Sequence, residues 1–126
     1  ALEINPNNPT LLNNYSYYLS EREERLSKAE EMARKANSLV PQNANFLDTY
    51  AWVLFKQKKY NEAEEQLQEA LLYGGSNSAV ILEHYGDVLY QLGEVEEAVA
   101  YWQQALDKGS KSLFLEKKIS ERKLLE

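Results

Sequence analysis

Glu83 and Asp87 stand four residues apart, a spacing that puts both carboxylates on one face of a helix. Such a pair can work as acid and base or hold a cation, although surface helices carry it far more often as a plain solvated face. His84, the single histidine, lies between them. Its ordinary pKa near neutrality suits a general base or a pH switch, against the commoner role of a structural hydrogen bond. Nothing completes a catalytic set. The chain has no cysteine, no Gly-rich phosphate loop, no Gly-x-Ser-x-Gly and no metal-ligand spacing. The residues therefore give no reason to expect an enzyme, a cofactor or a bound metal.

With 126 residues, 44% of them hydrophobic and 27% charged, the chain suits a single domain with a modest core rather than a disordered segment. Fourteen basic against twenty acidic side chains leave a net charge of −6, the wrong sign for a surface that must neutralise phosphates, so nucleic acid is not expected as a partner. The short cluster Lys56, Lys58 and Lys59 is too small to change that, and reads as solvated cations near a helix end. No apolar run is long enough to span a bilayer, so membrane insertion by this segment is not expected either. Charge is uneven: residues 107–126 hold six Lys/Arg and four Asp/Glu, whereas residues 1–106 hold eight and sixteen.

The elements that position these side chains follow from an internal repeat. Leu12, Leu47 and Leu82 recur at steps of 35 residues, as do Tyr15, Tyr50 and Tyr85, and Leu19, Leu54 and Leu89. A second set, Leu26, Tyr60 and Val95, then Ala29, Ala63 and Ala98, then Ala36, Ala70 and Ala105, steps by 34 and then 35. Each set falls on one helical stripe, so each unit is two helices stacked in an array. First helices are expected near 9–22, 44–57 and 79–92, second helices near 28–39, 62–73 and 96–108, and a last helix near 112–124. Ser27-x-x-Glu30 and Asn61-x-x-Glu64 read as caps of second helices, and Asn43 and Ser78 as caps of first helices. Leu113, Phe114, Leu115 and Ile119 are available to cover the last unit. Ser16, Ala51 and Gly86 are small where paired backbones must approach, and Tyr15, Tyr50, Tyr60, Tyr85 and Trp102 occupy core phases.

These residues resemble the tetratricopeptide repeat (TPR) family, whose pattern is W-x2-L-G-x2-Y, then A-x3-F, then P, over 34 residues. The third unit is the nearest match, with Leu82-x2-Tyr85-Gly86-x2-Leu89 and Ala98-x3-Trp102. The stretches Leu47 to Phe55 and Leu82 to Gly93 look most like the carboxy-terminal repeats of longer bacterial TPR proteins. The resemblance implies an all-α solenoid with a right-handed superhelix, closed by a C-terminal capping helix. In one TPR domain, 1–8 end a truncated repeat, 9–41, 42–75 and 76–109 are the three repeats, and 110–126 form the cap. The truncated start is read from Ala1 to Pro6, in phase with Ala36 to Pro41, and implies an uncovered face on the first helix through which two copies would pair. Compartment stays open between bacterial cytoplasm and cell envelope.

Once the packing stripe is subtracted, the first helices leave four more rows: Asn13, Asp48 and Glu83; Tyr17, Trp52 and Asp87; Ser20, Phe55 and Tyr90; Glu21, Lys56 and Gln91. By resemblance they line the concave groove, where TPR proteins commonly take an extended peptide or a partner's helix. Asn13, Tyr17, Asp48, Trp52, Phe55, Glu83, Asp87 and Tyr90 are the candidate binding residues, with Trp52, Phe55, Tyr17 and Tyr90 as exposed aromatic anchors. Four carboxylates against one lysine sum to −3, which favours a neutral or basic protein or peptide with apolar anchors. The clamp of lysines, arginines and asparagines by which some TPR domains hold a chaperone tail has no counterpart in these rows, so that class of co-chaperone is not expected. Two alternatives stand beside the interaction scaffold: a structural spacer or self-association module, and the recruiting arm of a larger enzyme.

Overall fold

The computed structural model describes residues 7–112 and 114–124, and the opening Ala1 to Pro6, read above as the end of a truncated repeat, lies outside them. Seven helices follow one another without a strand among the described residues: α1 (Pro9–Glu21), α2 (Leu26–Leu39), α3 (Ala44–Lys56), α4 (Tyr60–Leu72), α5 (Ala79–Gln91), α6 (Val95–Asp107) and α7 (Leu115–Glu121). A short 3-10 turn at Gly75–Asn77 joins α4 to α5. Helices pair as α1 with α2, α3 with α4 and α5 with α6, and α3 also packs on both α1 and α5. The architecture is an all-α helical-repeat solenoid.

First helices are capped as their sequence indicates. Asn43 Oδ1 accepts the Phe46 N–H at 3.0 Å and Ser78 Oγ accepts the Ile81 N–H at 3.2 Å, and Asn8 does the same for Leu11 at 3.0 Å, one 35-residue step upstream. Second helices correct the expectation: α2 starts at Leu26 and α4 at Tyr60, with no side-chain cap, so Ser27 and Asn61 sit inside the first turn. Their entry is shaped by backbone instead. The N–H groups of Glu24, Lys59 and Glu94 donate to the carbonyls of Leu19, Leu54 and Leu89 at 3.0, 2.9 and 2.9 Å. The residue before each takes a left-handed conformation, Glu23 at φ 53°, Lys58 at 67° and Gly93 at 89°. The extra residue in the first turn is absorbed by a second left-handed position, Arg25 at φ 48°. Glu30, freed from capping, ties α2 to the α3–α4 turn by accepting from Gln57 Nε2 at 2.9 Å and Lys59 Nζ at 3.0 Å.

The repeated alanines, Ala29, Ala36, Ala63, Ala70, Ala98 and Ala105, are fully buried, which lets paired helices touch at the backbone. Ser16 satisfies its hydroxyl by donating to the Ala29 carbonyl at 2.8 Å. At Gly86 a Cβ would fall 2.4 Å from Trp102 Cδ1 and 3.0 Å from the Ala98 carbonyl oxygen, so the absent side chain is what admits the indole. Ala33, Leu67 and Trp102 occupy the equivalent phase on the second helices, and all three are buried. Tyr85 and Trp102 are buried, Tyr50 and Tyr60 half-buried, but Tyr15 is exposed and stacks on Tyr18 instead of entering the core.

The last helix is shorter than its sequence suggests. Leu115 is fully buried in the main core, and Ile119 and Leu124 pack partly buried against it. Phe114 is 43% exposed and does not cover the last repeat, while Leu113 lies outside the described residues.

Candidate functional site: a groove along the first helices

Side by side, α1, α3 and α5 form the floor of a groove with two depressions. The larger, about 410 Å³, is walled by Asn13, Asn14, Tyr17, Asn45, Asp48, Thr49 and Val80. The second, about 280 Å³, is walled by Tyr17, Glu21, Trp52, Val80, Glu83, His84, Asp87, Phe114 and Lys118. Tyr17 and Val80 belong to both, so the two depressions are halves of one trough. Of the eight sequence candidates, Asn13, Tyr17, Asp48, Trp52, Glu83 and Asp87 meet along it, and Phe55 and Tyr90 do not.

The aromatic row does not behave as a set of free anchors. Trp52 is only 8% exposed, sandwiched between Phe55 at 4.6 Å and His84 at 3.9 Å in near-parallel stacks, and its Nε1–H donates to Glu21 Oε2 at 2.6 Å. Phe55 is buried too, and Tyr90 lies half-buried over Trp102 at 6.1 Å. Trp52 fills the seam between α3 and α5 by stacking on His84, Phe55 stacks against it within α3, and Tyr90 packs on α6, which leaves one indole N–H at the rim for Glu21. Tyr17 alone of the row stands open, 37% exposed. Its phenol pKa is pushed up to about 12 by partial burial and then by the nearby Glu21 and Asp48 charges, so it is a neutral donor at working pH.

The carboxylates are equally engaged. Asp48 Oδ1 pairs with His84 Nδ1 at 2.8 Å, a buried bond that joins α3 to α5 and gives the lone histidine its structural role. Burial opposes charge on this imidazole, but the Asp48 charge and hydrogen bond, joined by Asp87 and Glu83, outweigh it and raise the pKa. Glu83 and Asp87 are neither a dyad nor a solvated face. Both hold the Lys118 ammonium, from Glu83 Oε2 at 2.8 Å and Asp87 Oδ1 at 2.9 Å, and the same Asp87 oxygen accepts Trp102 Nε1–H at 3.0 Å. Burial pushes the Asp87 carboxyl above the usual range, and Lys118 draws back part of that shift. Lys118 itself is disfavoured by burial yet raised overall by the Asp87 and Glu83 carboxylates. Among the described residues no group of three or more His, Asp or Glu side chains is placed to hold a metal ion.

Two features escaped the sequence reading although the period reaches both. Asn45 and Val80 are one 35-residue step apart, and Phe114 and Lys118 stand one such step after Ala79 and Glu83, at the start of a helix in phase with the first helices. Asn13 Oδ1 is buried with no hydrogen-bond partner among the described residues, beside the larger depression.

A family model described as anaphase-promoting complex, cyclosome, subunit 3 matches residues 22–106, 85 of the 126 positions. The chain belongs to this tetratricopeptide-repeat family. A TPR repeat-containing protein of Pseudomonas aeruginosa is 36% identical over 66 residues, which are 52% of this chain and 11% of that relative. The chain thus spans about a tenth of the length of the curated relative it matches. Among solved TPR structures, the first TPR of Spaghetti (RPAP3) bound to an HSP90 peptide superposes with a TM-score of 0.80 at 17% identity, covering 90% of this chain and 89% of that one. The Sgt2 TPR domain from Aspergillus fumigatus gives 0.80 at 15% identity over 90% and 76% of the two chains. YrrB, described as a TPR protein with an unusual peptide-binding site, gives 0.78 at 21% identity over 96% and 61%. At these identities the likeness is one of fold.

Proposed function

We propose that this TPR chain is a protein-interaction module whose groove takes an extended, neutral-to-basic peptide segment of a partner protein. The observation that carries the reading is the open trough shared by Tyr17 and Val80, the latter 57% exposed, with asparagine amides from Asn13, Asn14 and Asn45 along its wall. An apolar side chain fits between the phenol and the valine, and amides can donate to and accept from a peptide backbone at once. The unpaired Asn13 Oδ1 suits a backbone N–H of such a segment. Glu21 at the rim biases the segment towards neutral or basic side chains, and peptide recognition as such is described for two of the structural neighbours.

The test is selection of peptides from a random displayed library on the full chain, followed by calorimetry beside Tyr17→Ala/Val80→Glu. Enriched peptides with an apolar anchor and a basic residue, bound at least about tenfold more weakly by the folded variant, support the groove. Failure to enrich, or equal binding by the variant, overturns it. Trp52 and Asp87 are unsuited to this test, because both are buried.

A second reading, self-association, is favoured by one face of α1, where Leu11, Tyr15 and Tyr18 are 40, 37 and 52% exposed at i, i+4 and i+7. Light scattering over a concentration series decides it; a strictly monomeric species at the highest concentration removes it.

A further inference from the structure

His84 is the single histidine of the chain, and the ordinary pKa of its imidazole makes it the one groove side chain whose charge changes near neutrality. Its ring stands between the two depressions. It walls the smaller one, while its Nδ1 is bonded at 2.8 Å to Asp48, which walls the larger. The same ring stacks 3.9 Å from Trp52, whose indole N–H holds Glu21 at the rim. Largely enclosed, it acts on a ligand through its charge and not by contact.

The charged and titratable groups around this ring come from four helices. Asp48 lies on α3, Glu83 and Asp87 on α5 itself, Glu21 and the Tyr17 phenol on α1, and Lys118 on α7. Lys56, also on α3, stands 5.3 Å over the Trp52 ring. The helices α4 and α6 meet α5 at Tyr85 and Gly86 instead. Lys118 is committed to Glu83 and Asp87, so the cation that answers Asp48 is His84. As imidazolium it makes a neutral pair with Asp48. As imidazole donating through Nδ1, it leaves Asp48 a net anion in the wall of the larger depression. That anion is felt in the trough, where with Glu21 it helps to raise the Tyr17 phenol.

We infer that the His84–Asp48 pair sets the groove's preference for ligand charge according to pH: a basic peptide is held more tightly once His84 has lost its proton, and a peptide without a cation equally well in both states. The inference rests on the groove being a peptide site and adds how that site is regulated. The Asp48, Asp87 and Glu83 charges raise the imidazole against the effect of burial, so the change falls above its ordinary value near 6.5. By reciprocity, a basic peptide expels part of a proton as it binds.

The test repeats the displayed-library selection on the full chain at pH 6 and pH 8. One enriched peptide, N-acetylated, free of histidine and carrying a single basic residue, is then titrated by anisotropy beside a counterpart with norleucine at that position. The basic peptide should bind about three- to tenfold more tightly at pH 8 than at pH 6, the effect of one nearby charge at a partly solvated site, and the norleucine peptide equally at both. Calorimetry at pH 7 in phosphate and in Tris should show a fraction of a proton released by the basic peptide alone. In His84→Gln the affinity for the basic peptide should no longer follow pH. A pH-invariant affinity in the wild type, or the same pH dependence with norleucine or in His84→Gln, overturns the coupling and leaves the peptide groove standing. No enriched peptide at either pH overturns the groove and the coupling with it. Should His84→Gln fail to fold, the two peptides on the wild type decide.

Discussion

The two ends of the solenoid use their groove-facing residues in opposite ways. At the third repeat, Glu83, His84 and Asp87 are all bonded within the chain, to Lys118, Asp48 and Trp102, in surroundings from which water is largely excluded. At the first repeat, the residues in equivalent phase, Asn13 and Tyr17, face the trough with an unpaired oxygen and a half-open ring. One row pattern therefore yields a cohesive end and a receptive end. What separates them is the neighbour each helix receives: among the described residues α5 packs on α3, α4 and α6 and, through Lys118, meets α7, while α1 packs mainly on α2 and α3. A stripe of groove-phase residues is available for binding only where nothing later in the chain claims it.

Mutations should break this comparison in proportion to how much each side chain holds. Trp52→Ala, at the seam between the ends, should cost about 3 to 5 kcal/mol, because it empties a stacked, buried site and leaves Glu21 without its donor. Urea unfolding that shows no change would return Trp52 to the role of a free anchor. Gly86→Leu should cost about 3 kcal/mol or more through collision with Trp102, and an unaltered Tm would mean the pairing of α5 with α6 is wrongly described.

A smaller effect concerns pH. His84 holds a raised pKa in the folded chain, so the stability it contributes is complete below its ordinary value near 6.5 and fades as pH climbs through the raised one. Thermal melts at pH 6 and pH 8 should show that decline in the wild type and a flatter profile in His84→Gln; parallel profiles would remove the ion pair with Asp48 from the account. Smallest of all, Tyr17→Ala should change stability by no more than about 0.5 kcal/mol, as befits a half-exposed ring at the receptive end. A large loss there would erase the contrast between the ends.

Much of the framework was legible from residue spacing. Leu12, Leu47 and Leu82, and the six alanines, must repeat because each unit solves the same packing problem, and Asn43 and Ser78 announce helix starts by a bond made to their own segment. The fate of the groove row was not legible. Whether an indole at Trp52 faces solvent or lies along the seam depends on Phe55, His84 and Glu21 arriving around it, which no period encodes. Ser27 and Asn61 carried a capping signature that the backbone turn made redundant. Lys118 stands one 35-residue step from Glu83, in the row of Asn13 and Asp48, yet the period does not say that a lysine placed there closes on Glu83 and Asp87.

The fit of Gly86 to Trp102, at a phase held by Ala51 and Leu67 in the unit before, bears on how such a chain can be rebuilt or recombined. A crossover in the turn inside a unit would set Ala51 against an indole, or Gly86 against an alanine, giving collision in one hybrid and a void in the other. A crossover between units keeps each couple together. The heritable module is the mated pair of helices, and the joints where the chain can be cut and respliced lie at Pro41 and at Gly74–Gly75.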